Sequence, residues 1–132
     1  MDSGLRQLAR QRAGGRCEYC RLPEEFSELH FHLEHIIPRQ HDGTDGAENR
    51  ALACADCNLV KGPNLTAIDP VTRRVVRLFH PRRDKWVGHF RYDGALILGK
   101  TPVGRATVSL LRMNDARRLR VRELLLGLGM LD

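Results

Sequence analysis

Two Cys-x-x-Cys pairs, Cys17-Glu-Tyr-Cys20 and Cys54-Ala-Asp-Cys57, account for all 4 cysteines of the chain. A thiolate so placed has two partners open to it, another sulfur or a metal. Two short-spaced pairs joined by a longer connection suit a tetrahedral Cys₄ zinc site, because each pair closes as a tight knuckle around one ion. Such a staple constrains the fold more than any other feature of the sequence. The 132 residues suffice for a modest core, but only 5% are aromatic, and a core so poor in large rings gains from a metal.

No apolar run is long enough to cross a membrane, and Met1–Arg16 holds no apolar leader, so a cytoplasmic location is expected. Thiols stay reduced there, which makes a pair of disulfides the weaker alternative to zinc. The net charge is +6, and all of the 22 basic residues except Lys61, Lys85 and Lys100 are arginine. Arginine offers phosphate a planar two-donor fork, so a polyanion, most simply duplex DNA, is the expected partner. The plainer alternative is a basic protein from an arginine-rich proteome.

Leu5, Leu8 and Ala9 sit at helical spacing, and Gly14-Gly15 ends that segment just before the first knuckle. From Leu29 to Glu34 the chain alternates, with Leu29, Phe31 and Leu33 on one face and His30, His32 and Glu34 on the other. That pattern predicts a half-buried strand with a ligand-rich polar face, ended by the loop that Pro38 initiates. Arg39 to Asn49 reads as a long polar loop, Ala51–Ala53 as a second strand, and Cys54–Lys61 as a short helix stopped by Gly62-Pro63. Further on, the pattern predicts a strand over 74–79, a hairpin around Asp93-Gly94, a helix from Pro102 and a last helix from Asn114. In that last helix Val121, Leu124, Leu125 and Leu128 share one stripe, with Arg117, Arg118, Arg120 and Arg122 on the other faces. The expected division is a metal-centred core over 1–63 and a small basic α+β extension over 64–132, packed together.

The strand–loop–strand–helix bracketed by the knuckles resembles the HNH endonucleases and their ββα-metal fold. The residues that carry the resemblance are His32-Leu-Glu34-His35-Ile-Ile-Pro38, Asn49, and Leu52-Ala-Cys54-Ala-Asp-Cys57-Asn58-Leu-Val-Lys61-Gly62. It covers Arg16 to Gly62 well and continues more loosely to Arg105. The resemblance implies an α+β fold, a metal-dependent DNA endonuclease, and products with 5′-phosphate and 3′-hydroxyl ends.

Each matching residue also has a chemical reason to be there. Hydrolysis of a phosphodiester needs an activated water, neutralised phosphoryl oxygens and help for the departing alkoxide. A neutral imidazole titrates near enough to neutrality to take a proton from water, and the resemblance assigns His35 as that general base. Glu34 and Asn58 offer hard oxygen ligands suited to Mg²⁺ or Mn²⁺. The family often has aspartate and histidine at these two positions. Asn49 has, by resemblance, the role of tying the loop together and holding the His35 backbone, although an asparagine before a strand is also a common turn residue. His32 shares the Glu34 face as a possible third ligand or a structural histidine; His41 is a weaker candidate for touching substrate. Arg39, Lys61, Arg82 and Arg83 are candidate phosphate contacts, with solvated surface charge as the alternative. Strict alternation puts His35 on the face opposite Glu34, so the strand must twist or end there for the two to share a phosphate. The rival functions are a zinc-stapled DNA-binding module without catalysis, and a ribonuclease.

Overall fold

A computed structural model describes residues 3–131, and within them five α-helices, three short 3-10 helices and three two-stranded antiparallel sheets form an α+β protein, as expected. Two compact units divide the chain: Met1–Leu65 with His80–Asp84, and Thr66–Phe79 with Lys85–Asp132.

In the first unit, helix α1 (Ser3–Ala13) buries Ala9 and Ala13 and packs on strand β2 (Arg50–Ala53). Its arginines fasten it further. Arg12 donates to the Ala47 and Arg50 carbonyls at 3.0 and 2.8 Å, and Arg10 pairs with Glu24 at 2.9 Å. Strand β1 (His32–His35) pairs antiparallel with β2 in the register His32↔Ala53, Leu33↔Leu52, Glu34↔Ala51 and His35↔Arg50. Helix α2 (Ala55–Lys61) follows at once and completes a β–β–α unit.

Strand β1 is shorter than the alternation predicts. Ser27 Oγ bonds both the amide and the carbonyl of Leu29, a local turn that leaves Leu29 exposed. The Phe31 amide then goes to the Glu24 carboxylate at 3.0 Å rather than to a strand partner. Side chain–backbone bonds of this kind compete with a ladder, and here they delay its start.

In the second unit, β3 (Thr66–Ile68) pairs with β4 (Val75–Arg77), and β5 (Phe90–Asp93) pairs with β6 (Leu96–Gly99). A short helix α3 (Trp86–His89) precedes β5. Helix α4 (Pro102–Leu110) starts where Thr101 caps the Gly104 amide, with proline in its first turn. Helix α5 (Ala116–Gly127) is capped by Asp115 on the Arg118 amide.

The stripe expected on α5 does not form the core. Leu124 and Leu128 are exposed, whereas Arg118, Arg122 and Leu125 are buried. Arg118 donates to the Leu111 carbonyl at 2.5 Å, and Arg122 donates to the Ala95 carbonyl at 2.7 Å and to Asn114 Oδ1 at 2.6 Å. These two arginines serve loop carbonyls, a use of charge that helical periodicity does not reveal.

Candidate metal centre and active site

The sulfur atoms of Cys17, Cys20, Cys54 and Cys57 are all buried and lie within 4.8 Å of one another. Both knuckles are built alike. The Cys20 amide donates to Cys17 Sγ at 3.5 Å, and the Cys57 amide donates to Cys54 Sγ at 3.4 Å, with Cys54 serving as the N-cap of α2. Glu18 ties the first knuckle to β2: its amide bonds the Leu52 carbonyl at 2.8 Å and its carboxylate accepts the Leu52 amide at 3.0 Å.

Cys20 Sγ and Cys54 Sγ stand 3.7 Å apart. Two corners of a tetrahedron with zinc–sulfur bonds of about 2.3 Å are separated by roughly 3.8 Å, so the cluster suits a zinc ion. Burial pushes the Cys17 thiol well up, and hydrogen bonding with the other cysteines does the same for Cys57. Four thiolates in this space need a cation to take their charge.

Above the knuckles an open cleft of about 580 Å³ is lined by Arg6, His32, Glu34, His35, Arg39 and Asn58, among others. Strand β1 does not end at Glu34 as expected but continues through His35, paired with Arg50, before Ile36–Pro38 turns away; Glu34, His35 and Asn58 of α2 nonetheless all line this one cleft. Asn58 reaches it from the helical face next to the one that carries Cys57. His32 is exposed at its edge.

Glu34 is 7% exposed, in contrast to the open polar face that the alternation predicts. Its Oε1 accepts the Tyr19 hydroxyl, and its Oε2 lies 3.1 Å from Lys61 Nζ. Burial pushes the Glu34 carboxyl up, while Lys61 and Tyr19 pull it back. Lys61 is 2% exposed and also donates to the Ile36 carbonyl at 3.0 Å and the His35 carbonyl at 3.4 Å. It is thus an internal tie between α2 and the end of β1, a place that neither a phosphate contact nor a solvated lysine would occupy. A carboxylate has about four lone-pair positions, so Glu34 retains acceptor capacity beside these two donors. Asn58 lines the same cleft, and its amide oxygen is a hard donor of the kind that Mg²⁺ or Mn²⁺ takes.

Asn49 is buried and clamps the loop. Its side chain accepts the Ile37 amide at 2.8 Å and donates to the Ile37 and Thr44 carbonyls at 2.8 and 2.7 Å. The backbone it holds through its side chain is that of Ile37, two residues beyond His35; its own carbonyl takes the Ile36 amide at 2.9 Å. Gly43 permits this closure, since a Cβ there would stand 1.6 Å from the Ile37 carbonyl oxygen.

Sequence patterning missed Asp45. Its Oδ1 lies 2.8 Å from His35 Nε2 and 2.9 Å from Arg39 Nε. Tyr19 was missed as well, though its position inside the first Cys-x-x-Cys knuckle was a usable signal. Of the expected phosphate contacts, Arg39 and Arg83 are exposed. Arg82 is not available: it turns inward to pair with Glu18, and its Nε and Nη1 are buried with no hydrogen-bond partner among the described residues. His41 is exposed in the loop after Arg39.

The β–β–α unit thus sits on a four-cysteine centre, with a histidine at the strand end and an asparagine on the helix. Residues 17–64 match the family model described as HNH endonuclease. No curated protein and no solved structure matched the chain. The family points to nuclease chemistry on a nucleic acid in general terms. Among the described residues, no helix is long and apolar enough to cross a membrane.

Proposed function

We propose that this protein is a metal-dependent DNA endonuclease of the reduced cytoplasm, stapled by one zinc ion on Cys17, Cys20, Cys54 and Cys57. The observation that carries this reading is the convergence of His35, Glu34 and Asn58 on one open cleft in a segment that matches the HNH family. In the reaction, the oxygen of a water bonds to phosphorus while His35 takes the proton that this water gives up. The bond to the 3′ oxygen breaks, and that oxygen takes a proton from solvent, leaving a 5′-phosphate and a 3′-hydroxyl. Glu34 and Asn58 would hold Mg²⁺ or Mn²⁺, which as a Lewis acid offsets charge on the phosphoryl and leaving oxygens. Asn49 fixes the loop that follows the base; Arg83 is exposed, and Arg39 is exposed although its Nε pairs with Asp45, so these are the basic side chains offered to phosphate.

A second reading, a DNA-binding module that does not cut, draws support from the Glu34–Lys61 pair, in which an ammonium already neutralises the carboxylate. Supercoiled plasmid and linear single strands incubated with Mg²⁺, Mn²⁺ or EDTA separate the two. Divalent-dependent nicking supports the nuclease; retention of DNA without any cleavage in either metal supports the binder. An RNA substrate in the same assay tests the ribonuclease alternative.

A further inference from the structure

His35 and Asp45 meet although they come from different segments, a strand end and a polar loop. Asp45 is 60% exposed at its side chain, yet its backbone is held in place on several sides. Asn49 Nδ2 binds the carbonyl of Thr44 at 2.7 Å, and the buried Arg50 binds the carbonyl of Asp45 at 3.3 Å. Arg50 is also the register partner of His35 across the sheet, and its Nη1 binds the Leu33 carbonyl at 3.0 Å. One arginine therefore spans both the strand that carries the histidine and the loop that carries the aspartate. The Thr44 hydroxyl adds a bond to Glu48 at 2.6 Å. A surface ion pair of two mobile side chains would not need this scaffolding.

Resting on the reading of His35 as general base, we propose that Asp45 is its positioning residue: it binds Nε2–H, fixes the ring, and leaves Nδ1 as the nitrogen that accepts the proton of water. A carboxylate only accepts, so the ring nitrogen facing it must carry the hydrogen. Arg39 and His35 together hold the Asp45 carboxyl down to about 2, which keeps it an anion throughout the neutral range. Tautomer and ring orientation of a histidine base follow from the bond that its other nitrogen makes. Arg39 shares the same carboxylate oxygen, so it steadies Asp45 from the solvent side.

The test is a long-range ¹H–¹⁵N correlation spectrum of the zinc-loaded full chain, taken at alkaline pH where imidazoles are neutral. The His35 signals are assigned by their loss in His35→Gln. Wild type should show His35 with the hydrogen on Nε2. Asp45→Ala should move it towards a mixture of tautomers, and Asp45→Asn, whose amide oxygen still accepts, should preserve the wild-type pattern. In single-turnover cleavage, Asp45→Ala should lose up to about 10²-fold in rate, the scale of a misplaced catalytic group, with DNA affinity not weakened and Asp45→Asn less affected. A hydrogen on Nδ1 in wild type, or an unchanged tautomer in Asp45→Ala, overturns the proposal. If no form of the protein cleaves, the nuclease reading fails, and the tautomer result still decides whether Asp45 orients His35.

Discussion

The first unit organises its interior around four sulfur atoms and a few buried charges, whereas the second relies on a cluster of rings. In the second, Phe79 packs edge-on against Phe90 at 5.0 Å between centroids, and Trp86 lies against Phe90 and Tyr92 at 5.1 and 5.3 Å. In the first, Tyr19 and Phe31 are buried and Phe26 is exposed. Aromatic rings contribute large buried area for each residue, so the unit with fewer of them has more need of an ion. The buried charges differ as well. Lys61 and Glu34 hold the two sides of the cleft together, while Arg118 and Arg122 serve loop carbonyls and Arg105 grips Asp69 at 2.9 and 2.8 Å. An arginine-rich composition is therefore not a measure of DNA-binding surface: part of it is internal scaffolding.

The largest effect expected from this contrast is on the metal. Structural zinc sites contribute about 10–16 kcal/mol of apparent binding energy, as much as a whole domain is stable by. Cys54→Ser, or chelation, should abolish hydrogen-exchange protection across β1, β2 and α2, with a smaller loss over β5 and β6. Full protection of the first unit without zinc would show that its core does not depend on the ion.

Next in size is the buried pair. Lys61→Met leaves Glu34 as an uncompensated interior charge, which costs about 3–5 kcal/mol in comparable cases. Denaturant unfolding of zinc-loaded protein should show that loss, and adding Glu34→Gln should recover much of it. A loss below about 1 kcal/mol would instead fit a solvated lysine.

In the second unit, Arg122→Ala should cost about 1.5–3 kcal/mol, the range for hydrogen bonds from a charged donor, and leave DNA affinity unchanged. Weakened DNA binding with stability intact would return Arg122 to the nucleic-acid surface.

The smallest effect expected is an acid-limb one. Arg105 foremost, with the Val71 amide and Thr72 hydroxyl, holds the Asp69 carboxyl far below the ordinary carboxylate range. Because the folded-state value is depressed, this stabilisation is complete above the ordinary value near 4 and is lost progressively as pH falls below it. Urea midpoints followed downward from pH 5 should therefore fall less steeply for Asp69→Asn than for wild type.

The knuckles, both strands of the first sheet, α2 and the cleft trio were legible in the sequence because spacing and family pattern report directly on them. The prediction for β1 began too early because alternation cannot see Ser27 and Glu24 capturing the backbone of Leu29 and Phe31. Burial of Lys61, Arg118 and Arg122, and the inward turn of Arg82, were illegible for a related reason. A basic residue looks solvated in sequence, and only tertiary packing reveals the carbonyl or carboxylate waiting for it. Asp45 went unnoticed because it sits in a Gly-rich polar loop, where an aspartate is an ordinary turn residue.

The central claim, that the cleft cuts DNA through His35, is tested most directly by His35→Ala in zinc-loaded form with Mg²⁺ or Mn²⁺. The account predicts that plasmid cleavage slows by about 10²–10⁴-fold, the usual contribution of a general base, while zinc content and DNA affinity stay at the wild-type level. Cleavage by His35→Ala at the wild-type rate would contradict it.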